Sequence, residues 1–264
     1  MAGAARAGRS RGAIDLARGV LEPLPRTRRR RILDLGAGSG SNLRYLTDVQ
    51  APTLQGPAAD WLLVDHDPSL LSRVPTADGV ETRCLDLSTL DDATIFDGRD
   101  LVTASALLDL VSEPWLRSLA GRCAEHGAAV LFALNYDGRS ACSPEDSDDG
   151  AVLALVNEHQ RTDKGFGPAL GPDATDFAAR CFAELGYQVR RAPSDWVLMP
   201  ASADLQRQLI DGWTQAAGEM APQQLRMIDA WRERRLAHVA AGWSAITVGH
   251  QDIGGSIKSE DLRI

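Results

Sequence analysis

The stretch "RRILDLGAGSGSNLRYL", residues 30–46, decides the fold of this chain. An apolar run ends at three glycines, Gly36, Gly38 and Gly40, and a pattern typical of a helix follows them. Because glycine has no Cβ, the backbone of such a turn can approach a ligand closely. The N-terminus of the following helix favours a negative group. These residues therefore predict a strand, a ligand-binding turn and a helix.

The spacing of the glycines separates two kinds of nucleotide turn. A dinucleotide-binding turn has the pattern GxGxxG. Counted from Gly36, that pattern places Ser41 where the third glycine or alanine should stand, so the match is imperfect. A tight turn that binds nothing is the remaining alternative.

Composition limits the class of protein. The chain has 264 residues, 44% hydrophobic and 24% charged, which is typical of a soluble globular protein with one large or two small domains. Its net charge of −8 disfavours nucleic acid and anionic membranes as partners. The four cysteines lie far apart, so we expect reduced thiols, no zinc site and a cytoplasmic location. No apolar run has the length of a signal peptide core or a membrane span.

Apolar runs alternate with helical patterns along the first half of the chain. This alternation predicts right-handed crossovers and a parallel sheet. Two further strands should follow, separated by helical patterns at about 203–218 and 222–241. The predicted strands are 31–36, 60–65, 80–86, 100–105, 128–135, 187–200 and 243–253.

Four motifs in order resemble those of class I S-adenosylmethionine-dependent methyltransferases. "LDLGAGSG" resembles the first motif, and "LLVDHDPSLL" at 62–71 resembles the second. "CLDLS" at 84–88 resembles the third, and "DLVTASALLDLV" at 100–111 the fourth. The resemblance covers residues 30–135, and the strand order suggests that it continues to about residue 253.

The resemblance implies roles for residues near the first two strands. Gly36, Gly38 and Gly40 would pass beside S-adenosylmethionine, and Asp34 would orient the amino end of its methionine part. Asp65 would accept hydrogen bonds from both ribose hydroxyls, which a carboxylate can hold in two charge-assisted bonds. As an alternative, an aspartate at a strand end is also a common helix cap.

Further cofactor contacts follow from the same resemblance. His66 would lie against the adenine face, or it could be a partly exposed histidine with no role. Asp86 would contact the adenine amino group, and the Leu87 amide a ring nitrogen. The backbone around Ser105 and Ala106 would face the methionine part.

The resemblance also implies the topology. We expect a Rossmann-like seven-stranded, mostly parallel sheet with helices on both faces, in which the antiparallel last strand lies beside the fifth. A helical insertion should precede that strand. The chain would form one methyltransferase domain over 1–264, divided as follows: N-terminal arm and helix 1–28, cofactor-binding half 29–135, insertion 136–172, C-terminal half 173–253 with a helical cap 201–241, and tail 254–264.

The resemblance implies that the segments after the fourth and fifth strands face the acceptor, since they normally do so in this family. Asp109 interrupts the apolar run "ALLDLV", where a carboxylate tends towards a raised pKa. It could act as a base or as a partner for the sulfonium charge, or it could merely flank the helix near residue 112. Tyr136 is the second catalytic candidate, and Asn135 beside it should contact substrate.

The segment 157–172 is polar and rich in glycine and proline. Asn157 and Arg161 are predicted to contact substrate, whereas His159 shares a face with apolar residues and is more simply a packed histidine. The helices at 201–241 either close the acceptor pocket or pack on the core, and they could also support a homodimer. We expect the acidic stretch at 144–150 to be a solvated loop without a metal.

Two groups of arginines have alternative interpretations. The run 26–31, "RTRRRR", is expected to line the sheet edge in solvent, with anion binding as the alternative. The resemblance implies that Arg9 or Arg11 could reach the carboxylate of the cofactor. Alternatively, they belong to a solvated arm and the start of a helix.

These patterns predict methyl transfer from S-adenosylmethionine to a small-molecule acceptor, by O- or N-methylation, with S-adenosylhomocysteine as product. Two alternatives remain: an NAD(P)-dependent Rossmann oxidoreductase and a non-catalytic S-adenosylmethionine-binding protein.

Overall fold

A computed structural model describes residues 10–25, 27–50 and 59–257. Its framework is one eight-stranded sheet with the order β3-β2-β1-β4-β5-β8-β6, in which β7 also pairs with β8. The strands are β1 (Arg31–Leu35), β2 (Asp60–Asp65), β3 (Val80–Cys84), β4 (Leu101–Ser105), β5 (Ala129–Ser143), β6 (Tyr187–Pro193), β7 (Trp196–Leu198) and β8 (Ala245–Ile257).

Helices cover both faces of the sheet. They are α1 (Arg11–Leu21), α2 (Ser41–Gln50), α3 (Pro68–Leu71), α4 (Glu113–Glu125), α5 (Asp149–His159), α6 (Ala174–Glu184), α7 (Ala203–Met220) and α8 (Leu225–Ala240). Residues at the ends of α4 explain its bounds, because Pro114 lies in the first turn and Gly127 has a φ of +62° just beyond the end. No described helix is long and apolar enough to cross a membrane.

The parallel half confirms the predicted strands. β1 lies between β2 and β4, with Leu33 paired to Leu62 on one side and Val102 on the other. These strands are covered by helices on both faces, which is why their sequences are nearly continuous apolar runs. Parallel strands aligned this way bring the carboxyl ends of β1, β2 and β4 to one edge of the sheet.

The antiparallel half confirms the implied strand order but corrects several boundaries. β8 runs antiparallel between β5 and β6. The strand predicted at 187–200 is two strands, β6 and β7, interrupted at Ser194 and Asp195. β5 continues through bulges to Ser143, into the predicted insertion 136–172, and β8 reaches Ile257, beyond the predicted end at 253. A long partner strand satisfies the backbone hydrogen bonds of these polar segments.

A second core forms beyond the parallel sheet. The far ends of β5 and β8, together with β7, carry α5, α7 and α8, and we call this region the distal lobe. Ile210, Ile228 and Trp231 are buried at its centre. The predicted cap 201–241 therefore packs on a core of its own rather than on the parallel sheet.

The acidic stretch 144–150 is largely an exposed loop as predicted up to residue 148, but three of its acids form ion pairs with α8. Asp146 forms a two-bond ion pair with Arg234 at 2.6 and 2.9 Å, which lowers the pKa of Asp146 to about 2. Asp149 pairs with the fully buried Arg235. These bonds join the start of α5 to α8.

The arginine run lines the sheet edge as predicted, but in ion pairs. Arg28 binds Asp100 in two bonds of 2.7 and 2.6 Å. Arg29 binds Asp60 at 2.6 Å and Asp78 at 2.8 Å. Arg30 is buried, contrary to the solvated role. Arg26, at the start of the run, lies outside the described residues.

Candidate functional site

The glycine turn, residues 36–40, leaves β1 and enters α2. Its three glycines have φ values of +64°, +53° and +79°, a region that favours glycine. A Cβ built on Gly38 would meet no atom within 4 Å, so open space lies beside the backbone there. The Gly38 amide donates to Asp65 Oδ2 at 2.8 Å. The turn is thus held against the end of β2 while one side stays open.

Asp34 lies under the turn and is fully buried. Asn42 donates its side-chain amide to Asp34 Oδ1 at 2.9 Å and to Thr103 Oγ1 at 3.0 Å. Asp34 Oδ2 has no hydrogen-bond partner within the described chain. Burial, helped by the charge of Asp65, raises the pKa of Asp34 to about 7, against the bond from Asn42.

Sequence reasoning did not identify Asn42. The sequence feature that could have identified it is its position on the first turn of α2, directly after the glycines, from which its side chain can reach β1. The bond to Asp34 links α2 to β1, and the bond to Thr103 extends the link to β4. Thr103 in turn donates to the Leu131 carbonyl at 2.6 Å.

The second and third motifs meet beside the turn. Asp65 is buried and also accepts from the Asp67 amide at 3.0 Å, whereas His66 is exposed, with its Nδ1 3.5 Å from Asp65 Oδ1. Asp86 is exposed and accepts from the Ser88 amide, a bond that lowers the pKa of Asp86. Leu87 is buried.

At the end of β4 the backbone adopts an uncommon conformation. Ala106 follows Ser105 with a φ of +55°, although it has a Cβ, and its amide donates to the Ala133 carbonyl at 2.9 Å. A non-glycine residue in this region costs about 1–3 kcal/mol, and such residues cluster at functional sites. Ala106 is also exposed, so its strained backbone borders open space.

Asp109 and Tyr136 are brought together. Asp109 lies in a short 3₁₀ turn, Leu108–Leu110, and is buried. Burial raises the pKa of Asp109 to about 6, although the backbone N–H groups of Asp109 and Tyr136 lie close enough to oppose the rise. Asp109 Oδ1 has no hydrogen-bond partner in the described ranges.

The predicted substrate contacts form one chain of hydrogen bonds. The Tyr136 hydroxyl donates to Asn157 Oδ1 at 2.8 Å. Arg161 donates to the Asn157 carbonyl at 3.0 Å and pairs with Asp173 at 2.9 Å. Asn135 differs, because it is buried and its amide binds the carbonyls of Phe132 and Gln251 at the β5 bulge. Its carbonyl oxygen has no partner among the described atoms.

The loop at 160–172 connects the acceptor side to the third motif. Phe166 contacts the edge of Trp115, with ring centroids 5.5 Å apart, and Trp115 donates to the Leu87 carbonyl at 2.6 Å. Sequence reasoning missed this link, since nothing local marks Trp115 and Phe166 as partners. The loop therefore lies beside the predicted adenine end as well as the acceptor side.

The remaining candidates lie outside this group or form ion pairs. His159 bridges Glu219 of α7 at 3.0 Å and Lys164 at 3.3 Å, in line with a packed histidine. Arg11 is the exposed first residue of α1, which packs on α2, β6 and β8. Arg9 lies outside the part of the chain that the structure describes.

The glycine turn, the buried acids Asp34 and Asp65, and the exposed backbone at Ala106 thus lie together at the carboxyl ends of β1, β2 and β4. Doubly wound sheets bind their ligands at this edge, where the strand order reverses. Together with the antiparallel β8 between β5 and β6, this arrangement is the Rossmann-like fold that the four motifs imply, that of the class I S-adenosylmethionine-dependent methyltransferases.

Several solved structures are similar to this chain at low sequence identity. The YcgJ protein of Bacillus subtilis is 13% identical over 94% of this chain and 99% of its own, with a TM-score of 0.50. A methyltransferase of Geobacter sulfurreducens, in complex with S-adenosyl-L-homocysteine, is 13% identical over 95% of this chain and 92% of its own, with a TM-score of 0.44. A cyclopropane synthase of Mycobacterium tuberculosis is 12% identical, covering 92% and 82%, with a TM-score of 0.46. No protein-family model and no curated protein sequence matches the chain.

Proposed function

We propose that this chain is an enzyme that transfers the methyl group of S-adenosylmethionine to a small-molecule acceptor. The observation that carries the proposal is the pairing of an open glycine turn with a buried carboxylate oxygen, Asp34 Oδ2, that has no partner within the described chain. A bound ammonium group beside Asp34 would supply the missing donor, and that is the group at the amino acid end of S-adenosylmethionine.

The other cofactor contacts fit the same ligand. A carboxylate has about four acceptor positions, so Asp65 can hold a ribose diol while it keeps the bond to Gly38. The exposed His66 and Asp86, together with the Leu87 backbone, would border the adenine. The strained turn at Ala106, next to Ser105, would face the methionine part.

When bound, the cofactor supplies a methyl group that its sulfonium has already activated. The chain's task is to align the acceptor with that methyl group and to exclude water. Asp109 and Tyr136 are the catalytic candidates, and Asn157 and Arg161 would orient the acceptor through the hydrogen-bond chain from Tyr136. The side-chain amide of Asn135 binds two backbone carbonyls, so Asn135 would hold the strand in place beside Tyr136.

The strand order argues against the oxidoreductase alternative. Nicotinamide-binding Rossmann sheets have the parallel order 3-2-1-4-5-6, whereas here the antiparallel β8 lies beside β5. We also propose that the chain functions as one methyltransferase domain with the distal lobe as its cap. A homodimer and a cytoplasmic location are further proposals, to be checked by light scattering and cell fractionation.

Calorimetry of the full chain with S-adenosylmethionine, S-adenosylhomocysteine and NAD tests the cofactor. We expect binding of the first two and none of NAD. A screen of small hydroxyl and amine compounds, with S-adenosylhomocysteine formation as the signal, then tests transfer. Binding of NAD alone would overturn the proposal. Cofactor binding with no turnover across the screen would favour the non-catalytic alternative.

A further inference from the structure

His250 is a buried histidine opposite Tyr136 that the sequence patterns did not single out. It lies on β8, directly paired with Tyr136 on β5, and is 8% exposed. Its Nδ1 lies 3.0 Å from the Val248 carbonyl. Since a carbonyl can only accept, Nδ1 carries the hydrogen and Nε2 keeps its lone pair. No described residue forms a hydrogen bond with Nε2.

The backbone around His250 is held on both sides. Its amide donates to Asp195 Oδ1 at 3.0 Å, and its carbonyl accepts from the Ser194 amide at 2.9 Å. These are the two residues that interrupt the strand between β6 and β7. Trp196 follows at once and packs on the imidazole, with ring centroids 5.1 Å apart. The break in the strand thus positions the ring.

The ring faces the acceptor side of the site. Directly paired residues on antiparallel strands point to the same face of the sheet, and the centroids of His250 and Tyr136 are 6.2 Å apart. The Tyr136 hydroxyl binds Asn157, and its backbone N–H lies beside the Asp109 carboxyl. His250 therefore lies next to Tyr136, on the same side of the sheet as the predicted acceptor residues.

The surroundings keep the imidazole neutral. Burial lowers the pKa of His250 below its ordinary value, although the charges of Asp137, Asp195 and Asp252 act in the opposite direction. Two of these acids are already paired, since Arg139 bonds to Asp137 and to Asp195. The two aromatic side chains that contact the ring, the phenol of Tyr136 and the indole of Trp196, are uncharged. An imidazole in this state can accept a proton at Nε2.

We propose that His250 is the general base of the reaction, an inference that rests on the proposed methyltransferase function. The acceptor atom forms a bond to the methyl carbon while the carbon–sulfur bond breaks and its electron pair stays on sulfur. The proton of the acceptor hydroxyl or amine goes to His250 Nε2. Asp109, nearer the end of β4, then faces the sulfonium, and Tyr136 and Trp196 hold the imidazole in place.

The charge difference between the two forms of the cofactor provides a test that needs no acceptor. A unit positive charge about 6 Å from an imidazole lowers its pKa by about 0.5 with the screening of water and by about 2 at an effective dielectric constant of 20. S-adenosylmethionine carries the sulfonium charge and S-adenosylhomocysteine does not. The full chain is therefore titrated in each complex by NMR of its histidine side chains, with the His250→Asn spectrum assigning the signal.

We expect a neutral His250 protonated at Nδ1 at pH 7, with a pKa lower by about 0.5–2 in the S-adenosylmethionine complex. His126, at the end of α4 beside Asp97, is the control, and its NMR signal should not differ between the two complexes. An equal pKa of His250 in the two complexes, or a proton on Nε2, overturns the base assignment and leaves the methyltransferase proposal standing. If calorimetry finds that neither cofactor binds, the proposed function fails first.

Two variants test the role of His250 in turnover. The acceptor is a compound found by the screen for S-adenosylhomocysteine formation. His250→Asn keeps a donor near the Val248 carbonyl and removes the titrating nitrogen. It should lower kcat roughly 10²- to 10⁴-fold, with S-adenosylmethionine affinity unchanged and the acidic limb of the pH–rate profile lost. His126→Asn should leave all three unchanged. An unchanged pH–rate profile in His250→Asn contradicts the proposal.

Discussion

Two aspartates, the fully buried Asp34 and the partly buried Asp149, show opposite ways of satisfying a carboxylate within this protein. Asp149 receives bonds of 3.0 and 2.6 Å from Arg235 and a third, of 2.8 Å, from the Trp231 indole. Asp34 receives one bond, from Asn42, and its second oxygen has no partner within the described residues. One carboxylate is saturated by donors from the chain, and the other is not.

The difference separates a structural region from a ligand-binding one. A buried acceptor without a donor costs about 1–3 kcal/mol, so a fold that keeps one is less stable than it could be. In the distal lobe the donors come from α8, and the bonds join α5 to α8. Around the glycine turn the missing donor is the one that a ligand would bring. We therefore expect changes in the distal lobe to affect folding and changes near the turn to affect binding.

The largest effect is expected in the distal lobe. Arg235→Ala removes the fully buried guanidinium from the partly buried Asp149. Removing one partner of a buried pair costs about 3–5 kcal/mol, and the partial exposure of Asp149 favours the lower end, about 3 kcal/mol. The free energy of unfolding, measured with urea, should fall by that amount. Arg232→Ala is the control, because Arg232 and Asp211 form an exposed pair, which is worth about 0–1 kcal/mol. Equal losses in the two variants would contradict the structural role of the buried pair.

At the glycine turn the expected loss is one of binding. Gly38→Val fills the open space beside the backbone and forces a branched side chain into a φ of +53°. S-adenosylmethionine affinity should fall roughly 100-fold or more, equal to about 2.7 kcal/mol, with the circular dichroism spectrum retained. Gly212→Val is the matched control, since Gly212 is an exposed helical residue with no atom near its Cβ position. Unchanged affinity in Gly38→Val would refute the motif assignment.

Two neighbouring aspartates, Asp65 and Asp67, have different expected roles: Asp65 in cofactor binding and Asp67 in capping α3. Asp65→Ala removes a charged acceptor, which costs about 1.5–3 kcal/mol, or roughly 10- to 150-fold in affinity. The loss should be equal for S-adenosylmethionine and S-adenosylhomocysteine, because both contain the ribose. Asp67→Ala removes the side chain that caps α3 and should reduce stability without changing affinity. The role is rejected if calorimetry finds the loss with one of the two ligands only.

The effect that is smallest per step is the pH dependence due to Asp34, because it is spread over about three pH units. Its pKa is raised to about 7 in the folded protein, against about 3.9 when unfolded, so the folded state binds more protons between these values. Stability without cofactor should therefore fall as pH rises from about 4 to 7, by at most about 1.4 kcal/mol per pH unit from this group. Asp34→Asn should remove that slope. If the free energy of unfolding from urea titrations falls with pH equally in the two proteins, the assignment is contradicted.

The sequence alone determined the parallel half of the fold, and it predicted where the candidate site lies. β2 occupies the predicted residues 60–65, and β1 and β4 agree with the predictions within one residue. These features are local, since the apolar run, the glycines and the strand-end acid lie within a few positions of one another. The order of the motifs was enough to imply the antiparallel insertion of β8.

Tertiary structure alone decided which polar side chains meet. Asp149 and Arg235 are 86 positions apart, and Tyr136 meets His250 only because β5 and β8 are long and pair beyond the parallel sheet. Hydrophobic periodicity predicts which face of an element is buried. It does not predict the partner of a polar group, because that choice depends on the packing of distant segments. For the same reason the acidic stretch at 144–150, which resembles a solvated loop in sequence, is a docking point for α8.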